Sequence, residues 1–149
     1  MDDEDIPPIS TANDPIGSQH DLHLRWRALM GPLGFSERLL WLGFIGADAC
    51  MAPGLTQIAE LPQYPDDEML DSLMEACRRL LDDPVTGGSV AFLLSRPGTW
   101  QMTGADRAWA RGLLSAARRA DVPIEPVHLA NDHRLCVFAP DDLAVRAGA

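Results

Sequence analysis

The chain has 149 residues, 46% of them hydrophobic, and carries 22 acidic against 12 basic side chains for a net charge of −10. That length holds one domain with a real core, and the acidic balance excludes general nucleic-acid binding, which needs a positive surface. No apolar run approaches the roughly 20 residues of a membrane helix, and the acidic start is unlike a signal peptide, so a cytoplasmic protein is expected.

Every basic residue is Arg, a bias typical of high-GC bacterial coding. Residues 1–20 contain Asp2, Asp3, Glu4, Asp5, Asp14 and three prolines, and read as a disordered acidic tail. The folded domain is expected over residues 21–143, with a frayed end at 144–149. Asp21 caps a helix over residues 21–30, with Leu22, Trp26, Leu29 and Met30 near one face. Residues 39–45 are nearly all apolar and read as a strand buried on both faces. Residues 55–60 return beside it as a hairpin, looped around Pro53 and Gly54. Pro62 and Pro65 precede the clearest helix, over residues 66–81. Its apolar stripe is Met69, Leu70, Leu73, Met74, Cys77, Leu80 and Leu81, and its end charges suit the helix dipole. A loop through Asp82, Asp83, Pro84, Gly87 and Gly88 leads to a third apolar strand at 89–95. A second long helix over about 104–120 buries Trp109, Leu113 and Ala117. Residues 125–130 and 134–139 read as two strands joined at Asn131, Asp132 and His133, because Asn and Asp tolerate left-handed backbone. Residues 140–143 begin the polar C-terminus. The fold class is therefore α/β, a single domain with a mixed sheet flanked by helices.

The chain has no Gly-rich phosphate loop and no Gly-x-Ser-x-Gly elbow. Cys50, Cys77 and Cys136 are not spaced as zinc ligands and read as reduced, buried, small apolar residues. His20 and His23 lie in or beside the tail. His128 alternates with apolar neighbours and reads first as a structural strand histidine. The densest polar cluster lies where the strand at 89–95 ends and the next helix starts. Thr103 and Asp106 have the spacing of a capping box there, with Asp in place of the preferred Glu.

From Glu37 onward the order is strand, strand, helix, strand, helix, strand, strand. The middle strand ends in Leu94-Ser95-Arg96-Pro97-Gly98, and the next helix opens with Thr103-Gly104-Ala105-Asp106. Over roughly residues 36–143 this pattern resembles the JAB/MPN (JAMM) metalloprotease-like fold, especially its RadC-like branch. That family carries His-x-His-Pro at the strand end and Ser-x-x-Asp at the helix start. Two histidines and the aspartate hold zinc, and an upstream glutamate moves the proton of the attacking water. Here the histidine positions are Leu94 and Arg96. Leu cannot ligate a metal and Arg repels a cation. Asp106 matches the ligand aspartate with a spacing about one residue short, Thr103 stands for the serine, and Glu37 matches the glutamate loosely.

The resemblance implies a catalytically inactive JAB/MPN-like domain without metal or cofactor. It would act as a binding or scaffold module, through a protein partner or homo-oligomer. The alternative is a metal-independent enzyme or small anionic-ligand-binding domain with a pocket at Arg96, Asp106 and His128. The candidate ligand-binding residues are Arg96, Asp106, Thr103, Glu37 and His128. Arg96 in the metal's place would pair with Asp106 through its planar fork. In the rival arrangement Asp106 serves only the Thr103 cap and Arg96 reaches solvent.

Overall fold

The two most apolar stretches of the sequence lie side by side in the computed structural model, which describes residues 6–8, 10–11, 14–52, 54–82, 87–98 and 101–143. The chain order is α1 (Gln19–Met30), β1 (Leu39–Ile45), β2 (Thr56–Ile58), α2 (Asp67–Asp82), β3 (Ser89–Ser95), α3 (Gly104–Arg119), β4 (His128–Ala130), β5 (Leu135–Val137) and α4 (Pro140–Leu143). β1 pairs with β3 antiparallel along its whole length, from Leu39 opposite Ser95 to Ile45 opposite Ser89. The sheet order is β2-β1-β3-β4-β5, and β3–β4, joined through α3, is its parallel pair. The chain is thus a single α/β domain, a five-strand mixed sheet with four helices.

Both faces of the sheet are covered, which is why its central strands carry almost no polar alternation. Leu40, Leu42, Phe92 and Leu94 pack with Leu70 and Met74 of α2 and Trp109 and Leu113 of α3. Ala91, Leu93, Ala130 and Leu135 pack on the other face with Leu22 and Trp26 of α1. Helices α2 and α3 come close at Gly112, where a Cβ would lie 2.8 Å from the Leu70 Cδ1. Among the described residues no helix is long and apolar enough to cross a membrane.

Several boundaries differ from the sequence reading. Helix α1 starts at Gln19 because Ser18, not Asp21, is its cap: the Ser18 hydroxyl accepts from the Asp21 N–H at 3.1 Å. Asp21 instead reaches back to the Gly17 N–H at 2.9 Å. The end of the acidic segment also belongs to the fold. The Ile16 N–H donates to Ala49 at 2.7 Å, its side chain packs on the α1-side core, and Arg25 donates to the Asp14 carbonyl at 2.6 Å. Strand β2 is cut to three residues and β4 starts only at His128. Pro126 has no N–H to give a ladder, and ahead of it Ile124 makes one isolated bridge to Val90.

The turn after β4 closes through a side chain rather than a left-handed backbone. The Asn131 Oδ1 accepts from the His133 and Arg134 N–H groups, each at 2.9 Å, and neither Asn131 nor Asp132 has a positive φ. Leu80 lies off the α2 stripe, 42% exposed. All three cysteines are free, but Cys77 alone is fully buried. The sequence readings at Asp2, Asp3, Glu4, Asp5, Pro53, Asp83, Pro84 and 144–149 lie outside the described residues.

Candidate functional site

Strand β3 delivers Arg96 to the open end of the parallel pair. The Arg96 N–H donates to the Ala130 carbonyl at 3.0 Å, carrying the β3–β4 pairing one residue past the strand. The chain then turns at Pro97 and Gly98 and re-enters regular structure at Thr103, the cap of α3. Gly98 has φ +105°, a conformation that strains any side chain, and a Cβ there would stand only 3.0 Å from the Arg96 Nη1.

Arg96 and Asp106 form a buried fork, 7% and 0% exposed. The Arg96 Nε donates to Oδ1 at 2.9 Å and Oδ2 at 3.0 Å, and Nη2 donates to Oδ2 at 2.8 Å. The remaining guanidinium edges donate to the Pro97 carbonyl at 3.0 Å and the Gln101 carbonyl at 3.2 Å. The capping box forms at the same carboxylate. The Thr103 N–H donates to the Asp106 Oδ2 at 2.9 Å, and the Asp106 N–H donates to the Thr103 Oγ at 3.1 Å. The fork and the capping box therefore coexist, and Arg96 is buried rather than reaching solvent as the rival reading had it. Two oxygens have room for both, since a carboxylate offers about four acceptor sites.

The other candidate residues do not join the fork. Glu37 is exposed beside the same sheet end, two residues before Leu39, and makes no ion pair with Arg96 among the described residues. His128 lies on the opposite face of the sheet, its ring 6.0 Å from that of His23 on α1. A pocket enclosed by Arg96, Asp106 and His128 together is therefore not formed.

What lies beside the fork is a cleft of about 340 Å³. Arg107, the residue after Asp106, and Arg134, which leads into β5, border it with Gln101, Asn131, Cys136 and Asp142. Burial raises the Cys136 thiol above its ordinary pKa, so it is protonated and a poor nucleophile near neutrality. The hydroxyls of Ser95 and Thr103 are engaged with Trp41 and Asp106, not with a histidine base.

Asp132 ties the surrounding loops together. Its carboxylate accepts from the Gly98 N–H at 2.8 Å and the Phe35 N–H at 3.0 Å, and its own N–H donates to the Gly98 carbonyl at 2.9 Å. Those amides, first from Gly98 and then from Phe35, hold its carboxyl below the usual aspartate range, with His133 and Arg96 adding to the effect. Nothing in the sequence marks Asp132 for this role beyond its place in a turn.

The α1 face has its own cleft, of about 310 Å³, bordered by His20, His23 and His128. The His128 Nδ1 stands 3.1 Å from the Pro126 carbonyl and so carries the ring proton, leaving Nε2 as a buried acceptor with no hydrogen-bond partner among the described residues. Burial, first, pushes its pKa down to about 4, against the opposing Pro126 bond and with a small further push from His23. Among the described residues no three His, Cys, Asp or Glu side chains are grouped to hold a metal ion. The one sequence signal for this cleft was the three-residue spacing of His20 and His23, which aligns them only once the helix starts at Gln19.

No family model, curated protein or solved structure matches the chain.

Proposed function

We propose that the chain is a cytoplasmic, metal-free, non-catalytic relative of JAB/MPN domains, of the RadC-like type, and that it works by binding. The observation that carries this reading is the fork. In the resembling family the aspartate at the Asp106 position faces a cation held by histidines. Here a guanidinium covalently supplied by the strand end meets the same carboxylate through three contacts of 2.8–3.0 Å. A fixed cation with saturated donors neither activates a water nor exchanges for zinc, because Arg stays protonated and repels a second cation. What remains useful is a rigid, capped strand–helix junction, which suits a scaffold that docks a protein partner or a second copy.

Metal analysis of protein purified without chelator tests the reading. The expected content is far below one transition metal per chain. About one zinc per chain would overturn it, because zinc at Asp106 requires Arg96 to leave. Sedimentation over a concentration series tests self-association, and a monomer throughout would remove the homo-oligomer form of the proposal.

A further inference from the structure

We propose that the cleft beside the fork binds a small oxyanion, held between the guanidinium groups of Arg107 and Arg134. The site rests on the reading of the chain as a binding module, but not on its freedom from metal. Metal analysis tests one and anion titration the other.

The first ground is charge. The chain has ten more acidic than basic side chains, so each arginine has ample opportunity to find a carboxylate. Arg78, Arg79, Arg96 and Arg119 do so. Arg107 and Arg134 border one cleft, and neither guanidinium has an ion pair or hydrogen bond among the described residues. Two guanidinium groups on one concave surface, outnumbering its one carboxylate, Asp142, form a local positive field in an otherwise negative protein. Each offers a planar pair of donors that matches a carboxylate or a phosphate.

The second ground is position. The cleft opens at the carboxyl ends of β3 and β4, the parallel pair, beside the first turn of α3. Ligands of α/β sheets collect at the carboxyl ends of parallel strands. A cleft of about 340 Å³ has the size of a small-metabolite site. The fork contributes by holding the wall. Arg96 fixes the Gln101 carbonyl, and Asp106, through the capping box with Thr103, fixes the turn of helix that carries Arg107. Arg96 itself is committed to Asp106 and is not a ligand contact. Asp142 also borders the cleft, but its Oδ2 accepts from the Ala139 N–H at 2.8 Å. The balance of the bordering charges is two cations against one anion, which leaves a single positive charge for an oxyanion to meet.

The oxyanion chemistry is shared by phosphate esters and by carboxylic acids, so both are used as probes. Calorimetric titration with inorganic phosphate and with succinate, at low and matched ionic strength near neutral pH, should show saturable one-site binding of at least one. Phosphate alone points to a phosphorylated ligand, succinate alone to a carboxylic acid. Arg107→Gln and Arg134→Gln should each weaken binding roughly tenfold or more, the scale of a lost charged hydrogen bond. Arg118→Gln, an exposed arginine in the last turn of the same helix, should leave it unchanged. Circular dichroism checks that all variants stay folded. No saturable binding of either anion would overturn the proposal. So would binding that survives the Arg107→Gln/Arg134→Gln pair, or an equal loss in Arg118→Gln.

Discussion

Arg96→Ala, Asp106→Ala and the two together form a thermodynamic cycle on the fork. The Asp106 carboxylate is fully buried and accepts from Arg96 and from the Thr103 N–H. Arg96→Ala leaves that charge with one backbone donor, which costs roughly 3–5 kcal/mol for a buried pair broken on one side. Asp106→Ala leaves the buried guanidinium without its carboxylate, against neutral acceptors such as the Pro97 and Gln101 carbonyls, a similar loss, and also removes one side of the cap, about 1 kcal/mol more. The double variant buries no charge, so its cost should fall short of the summed single costs by roughly 1–3 kcal/mol. Thr103→Ala provides the control. Its hydroxyl holds the Asp106 N–H rather than the carboxylate, so the change should cost about 1 kcal/mol and add nearly independently to Arg96→Ala. Urea unfolding followed by tryptophan fluorescence gives all of these values. If the Arg96 and Asp106 costs add within about 0.5 kcal/mol, or Arg96→Ala costs under about 1 kcal/mol, the fork is no stronger than a surface pair and the argument for it fails.

Two further outcomes follow from the same geometry. Unfolded His128 takes up a proton below 6.5, while the native ring holds its pKa at about 4, so acidification favours unfolding across that window. Stability from this residue is complete above the unfolded value and falls by on the order of 3 kcal/mol towards the native one. Unfolding at a series of pH values should show that slope in the wild type and a flatter one in His128→Asn; equal slopes would contradict the buried neutral ring. Gly98→Ala should cost roughly 1–3 kcal/mol, because its φ of +105° is strained for any side chain and the new Cβ crowds the guanidinium. A neutral effect in chemical denaturation would show that the 97–98 turn is not held as described.

The long elements were legible because each had many residues voting the same way. β1 and β3 are seven-residue runs with almost no polar residue, and α2 and α3 carry apolar stripes over sixteen residues each. The short elements were not. Residues 55–60 look as strand-like as their ordered part, but only Thr56–Ile58 finds partners on β1. Ser18 and Asp21 are equally good caps in isolation. Ser18 takes the role because Ile16 must reach Ala49 and the α1-side core, a constraint from a segment far along the chain. The fork was expected from the resemblance, with Arg96 in the metal's place, and Arg96 and Asp106 meet because they sit ten residues apart across one strand–turn–helix unit.

The face of β4 on which His128 lies shows where a one-dimensional reading stops. In a sheet open to water on one side, alternation tells which residues face inward, and a polar residue marks the outside. Strand β4 is buried on both sides, and all three of its residues are inaccessible. Its pattern therefore carries no sign, and a shift of one residue exchanges the two faces. Leu129 turns towards α3 and borders the cleft of Arg107 and Arg134, while His128 turns towards α1 and meets His23. The sign is set by register, Leu94 opposite Leu129 and Leu93 opposite His128. That register is fixed in turn by the Arg96 N–H on the Ala130 carbonyl and by Asp132 holding Gly98. Polar contacts at the strand end thus decide which side chains share a cleft. Asp132, whose partners lie on loops distant in the sequence, and the shared cleft of Arg107 and Arg134, on α3 and ahead of β5, could be found only once that register was known.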